Sequence, residues 1–116
     1  MVRTSFHGSF YTESSEAVQS VLRSWLSVDD LVIGHRRGVE LRYAADDIEF
    51  LCYETMLREG ANFFLIEGVV DGSVDVAVAS LRRLAEKSLT CGMKFDGEYE
   101  QVDTDGCSIS EEIAIG

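Results

Sequence analysis

"SVDVAVASLRRLAEKSL", residues 73–89, is the stretch on which the fold turns. Ala77, Val78, Leu81, Leu84 and Ala85 recur at the three- and four-residue spacing of one helix face. Ser73 stands where an N-cap oxygen is wanted. The same pattern occurs upstream in "SSEAVQSVLRSWL", residues 14–26. There Ala17, Val18, Val21, Leu22, Trp25 and Leu26 follow Ser14 or Ser15 as the cap. A β-like run leads into each helix, "TSFHGSFY" (4–11) into the first and "NFFLIEGVV" (62–70) into the second. Shorter strand-like pieces divided by turn residues come after each.

A shift of 59 residues lays one set on the other, pairing Ser14 with Ser73, Leu22 with Leu81, Arg23 with Arg82, Gly38 with Gly97 and Asp46 with Asp105. The punctuation coincides as well: "RG" (37–38) falls on "DG" (96–97), and "AADD" (44–47) on "DTDG" (103–106). Each half then reads strand, helix, strand, turn, strand, turn, strand, and the short polar "REG" (58–60) joins them. The pattern predicts a tandem duplication.

"VDTDGCSISEE" (102–112) admits two readings. As an EF-hand loop begun at Gln101 it puts Asp103, Asp105, Gly106 and Glu112 at the third, fifth, sixth and twelfth positions. The first position is then Gln instead of Asp, and the preceding "MKFDGEYEQV" alternates like a strand. The stretch reads as a tight turn followed by a closing strand, "CSISEEIAI".

With 116 residues, 46% hydrophobic and 27% charged, the composition is that of one globular domain. No apolar run is long enough to span a membrane, and the N-terminal segment turns polar too soon for a signal peptide. Cytoplasm is the expected compartment. Cys52, Cys91 and Cys107 are odd in number, lack a Cys-x-x-Cys pair and read as core thiols. The net charge of −11 argues against nucleic acid as a partner and suits a cationic ligand or a basic protein. Seven of the acidic residues lie between Phe95 and Glu112, where there is no Lys or Arg.

Two strand–helix–strand–strand–strand modules of this size resemble the vicinal oxygen chelate superfamily, which includes glyoxalase I, extradiol dioxygenases and bleomycin-resistance proteins. The second half carries the resemblance. The family's "D-x-D-A-A-V-A-x-L" helix is matched by "SVDVAVASL" (73–81), and its "D-P-D-G-N-x-I-E" turn and strand by "DTDGCSIS" (103–110). Ser73, Thr104, Cys107 and Ser110 depart from that pattern. The implied fold is α+β: one domain, 1–116, of two βαβββ modules, 1–57 (elements from residue 2) and 61–116. Each would form a curled mixed sheet with one helix, related by a pseudo-two-fold axis.

The family's metal positions, carried over, fall on His7, Ile66, Leu51 and Ser110, of which only His7 is a good ligand. A slip by one residue brings in Cys52 and Glu111 but reverses the side chain's facing. No metal, cofactor or catalytic residue is therefore expected, and His7 reads as a core or cleft histidine. His35 reads as a hairpin-tip residue beside Arg36 and Arg37.

Asp96, Glu98 and Glu100 alternate opposite Phe95 and Tyr99. The resemblance to bleomycin-resistance proteins implies a homodimer that sequesters a small, cationic molecule without turnover. Its acidic, aromatic-lined cleft would comprise His7, Tyr43, Glu49, Phe50, Tyr53, Phe95, Glu98 and Tyr99. Two alternatives follow. One is an acidic inhibitor or immunity-type protein that binds a basic protein partner. The other is a metal-dependent lyase or dioxygenase built on His7.

Overall fold

The computed structural model describes residues 3–35, 38–56, 62–103 and 105–115. Arg36, Arg37, the "REG" join and Thr104 lie outside the described residues. The elements run β1 (Arg3–Tyr11), α1 (Ser15–Leu26), β2 (Val32–His35), β3 (Val39–Ala44), β4 (Ile48–Met56), β5 (Asn62–Asp71), α2 (Val74–Thr90), β6 (Lys94–Val102) and β7 (Ile113–Ala114). The seven strands among the described residues form one antiparallel sheet in the order β2-β3-β4-β5-β1-β6-β7.

Both helices begin where the capping signals place them. The Ser14 side chain accepts from the Ala17 amide, and Ser73 accepts from Val76, satisfying N–H groups that have no partner inside the helix. Each helix turns its apolar stripe to the same face of the sheet. From α1 come Val18, Val21, Leu22 and Trp25; from α2 come Ala77, Leu81 and Leu84. The sheet answers with alternate residues, Phe6 and Phe10 of β1, Phe64, Ile66 and Val70 of β5, and Ile48, Phe50 and Cys52 of β4. Trp25 binds the layers together: its indole lies edge-on to Phe6 at 6.2 Å and donates to the Ser80 carbonyl of α2 at 2.7 Å.

Close packing depends on three glycines. Gly68 faces Phe6 across β5 and β1, and a Cβ there would stand 2.3 Å from the Glu49 carbonyl oxygen on β4. Gly8 is paired with Gly97, and the Phe95 ring covers both, 2.7–2.8 Å from where their Cβ atoms would sit. Phe95 also packs against Phe10 with centroids 4.8 Å apart.

The expected two curled sheets are replaced by one. The first strands of the two halves, β1 and β5, pair with each other in the middle, so a single hydrogen-bond ladder runs through both halves. A pseudo-two-fold would give β1 and β5 equivalent outer neighbours. Instead β5 has β4, the last strand of the first half, whereas β1 has β6, the first strand after α2. The matched punctuation also separates: Gly38 precedes β3, but Asp96 and Gly97 lie inside β6.

The expected closing strand is reduced to Ile113–Ala114 and one bridge from Ser108 to Val102. Residues 107–112 are exposed throughout, Ile109 included, so no buried face reinforces pairing there. The "DTDG" stretch is a turn held by the Asp103 carboxylate, which accepts from the Asp105 and Cys107 amides, with Gly106 at φ 84°. Of the three cysteines only Cys52 is a core thiol; Cys91 and Cys107 are exposed. No described helix is long and apolar enough to cross a membrane.

Two outcomes follow from the packing. Gly68→Ala should lower stability by about 3 kcal/mol in denaturant unfolding, because the neighbour it meets is backbone. Gly34→Ala, with open space around it, should stay within about 0.5 kcal/mol. Burial pushes the Cys52 thiol far above its ordinary pKa. A thiol reagent should accordingly label Cys91 and Cys107 in the native protein and Cys52 only after unfolding.

Candidate functional site

With both helices on one face, the other face of the sheet is left to solvent, and its side chains follow from strand register. Three cross-strand rows run across it. The central row is Arg42, Leu51, Glu67, His7 and Glu98. On one side lie Ala44, Glu49, Val69, Ser5 and Glu100, and on the other Glu40, Tyr53, Leu65, Ser9 and Asp96. Each row thus carries two carboxylates, one to either side of β1.

Among the described residues, Arg3, Arg42 and Lys94 on this face each have a neighbouring partner. Arg42 lies 3.5 Å from Glu40, Arg3 pairs with Asp71, and Lys94 stands over the Tyr11 ring at 5.2 Å from its centroid. Glu49, Glu67, Asp96 and Glu100 therefore set the potential of the face, together with the cluster described next.

His7 and Glu98 sit directly opposite on β1 and β6, with Nε2 and Oε2 3.9 Å apart and both side chains about half exposed. Glu112 approaches from the segment ahead of β7, and one donor atom from each of the three lies within 4.8 Å of the others. A hydrogen bond with Glu98 raises the Glu112 carboxyl pKa, with desolvation and the charge of Glu98 adding to it and His7 opposing it. Beside the cluster is a depression of about 410 Å³ lined by His7, Tyr53, Leu65, Glu67, Asp96 and Glu98, among others. A second depression, of about 640 Å³, lies toward β2 and is lined in part by Val32, Arg42, Leu51, Glu49, Glu67 and Val69.

The eight residues expected to share one cleft are divided by the sheet. His7, Glu49, Tyr53 and Glu98 are on the open face. Phe50 is buried in the core, Tyr43 packs on it at 5.9 Å, Phe95 packs on Phe10, and Tyr99 lies opposite the buried Phe6. These four aromatics stabilise the helix side and leave Tyr53 as the aromatic shared with the acidic face. The carried-over ligand positions do not converge either. Ile66 and Cys52 are core residues on the helix side, and the Ser110 hydroxyl accepts from the Gln101 amide at 2.8 Å. His35, at the end of β2, is exposed.

Sequence reasoning missed Glu67 and Glu112. Glu67 had a signal, as the lone charge in the apolar run "NFFLIEGVV". Glu112 had only the twelfth position of the discarded EF-hand loop, and the expected closing strand that would have aimed it is reduced to Ile113–Ala114. Neither any family model nor any curated protein matches the chain.

Proposed function

We propose that this chain is a non-catalytic binding module that captures a basic partner protein on its open sheet face, in the manner of an acidic inhibitor or immunity-type protein. The supporting observation is the pairing of carboxylates across that face, two in each of three adjacent rows, while Arg3, Arg42 and Lys94 are occupied by neighbours on the same face. Leu51, Leu65 and Val69 lie between the carboxylates and supply apolar surface to bury. An apolar centre within a polar surround is the usual anatomy of a protein interface. The negative field steers a basic partner to the face and fixes its orientation, and apolar contact then slows its release.

The depression of about 640 Å³ toward β2 favours a second reading, in which a small organic cation lies against Glu49 and Glu67. The two differ in footprint, a protein covering all three rows and a small cation only the β2 side.

An NMR titration with a lysine-rich peptide and a folded basic protein separates them. Amides of β1, β5 and β6 should shift together, and the shifts should reverse at about 0.5 M salt, where charges are screened within a few ångströms. Glu67→Lys combined with Glu100→Lys should weaken binding about tenfold or more. The matched reversal on the helices, Glu16→Lys with Glu86→Lys, should leave it nearly unchanged. Equal losses from both pairs would reduce the effect to net charge and reject the face. Shifts confined to β3, β4 and β5 with small organic cations, leaving β1 and β6 unmoved, would favour the second reading.

A further inference from the structure

We propose that His7, Glu98 and Glu112 form a binding site for a divalent transition-metal ion, with zinc as the reference case. The inference rests on donor geometry and is independent of the docking reading. Three separate segments converge: β1 supplies an imidazole nitrogen, β6 a carboxylate directly opposite it, and the segment before β7 a second carboxylate. Strand pairing sets the first two, since His7 and Glu98 are register partners with Nε2 and Oε2 3.9 Å apart. The third is brought in by β7, whose Ala114 pairs with Glu98 and whose neighbour Ile115 donates its amide to the Gly97 carbonyl at 2.9 Å.

In a tetrahedral zinc site, bonds of about 2.0–2.2 Å put neighbouring donors about 3.4 Å apart. The three donors, all within 4.8 Å of one another, reach that spacing by small side-chain rotations, which exposed residues make freely. Two carboxylates held this close repel each other unless a proton or a cation lies between them. The imidazole separates this cluster from a group of acids alone. A nitrogen donor with two carboxylates suits zinc, nickel or copper, whereas calcium takes six to eight oxygens. Glu67 is the cross-strand neighbour on the other side of His7. His7 and Glu98 also line the depression of about 410 Å³, from which water or a donor of a bound molecule would complete the coordination.

Isothermal titration of untagged, chelator-treated protein with zinc chloride and with calcium chloride tests the site. One zinc per chain and no calcium binding are expected. His7→Ala and Glu112→Gln should each weaken zinc about tenfold or more, while Asp105→Asn on the nearby turn should not. Because these side chains are exposed, the melting temperature without metal should be the same for all variants, which separates ligand loss from unfolding. Zinc should also slow hydrogen exchange at the Ile115 amide in the wild type and not in His7→Ala. Absence of stoichiometric zinc, or affinity unchanged by His7→Ala, overturns the proposal. So does loss of zinc in a Cys91→Ser, Cys107→Ser variant, which would assign the ion to the exposed thiols. Zinc binding without any basic-protein binding, or the reverse, would decide the two proposals separately.

Discussion

The antiparallel pairing of β1 with β5 on one side and β6 on the other is the constraint from which the rest of the structure follows. It places the alternation of "RTSFHGSFY" inside the sheet, with Phe6 and Phe10 under the helices and Ser5, His7 and Ser9 on the open face. A slip of one residue would exchange these sets, burying an imidazole and exposing two phenylalanines. Gly8, Gly68 and Gly97 bring the three strands within reach of the Phe95 and Phe50 side chains, so register and packing reinforce each other. The acidic rows of the open face are the other side of the same register. Their carboxylates are neighbours because the core residues between them are.

Local structure was legible because its signals are local. The Ser14 and Ser73 caps, both apolar stripes, the alternation of β1 and β6, and the Asp103 turn each depend on a few consecutive residues. The sheet was not legible, because strand order is a long-range property. "TSFHGSFY" and "NFFLIEGVV" look like corresponding strands of two modules, and nothing within them says that they pair with each other. The resemblance to a two-sheet family turned a similar order of elements into a particular arrangement of strands, which the pairing of β1, β5 and β6 corrects.

The site divides along the same line. The alternation of Asp96, Glu98 and Glu100 can be read from sequence, and His7 stands out as the polar member of an apolar strand. That His7 faces Glu98 requires the pairing of strands whose first residues are Arg3 and Lys94. The aromatics expected beside the carboxylates rest on the resemblance, and parity places Phe50, Phe95 and Tyr99 on the side opposite Glu49 and Glu98. Glu112 joins the cluster through β7, the two residues that remain of the expected closing strand.

The interior position of β1, between β5 and β6, also bears on how the chain folds as it is synthesised. Its two partners span residues 62–71 and 94–102, so β1 is made well before either neighbour and waits longest for them. Until β5 emerges, Phe6 and Phe10 have no sheet to join, and α1 can cover them only as a loose collapsed pair. Pairings between strands this far apart in sequence slow folding and lengthen the exposure of apolar segments. Nascent chains stalled before β6 are complete would therefore be aggregation-prone, and chaperone dependence should fall sharply once residue 102 clears the exit tunnel.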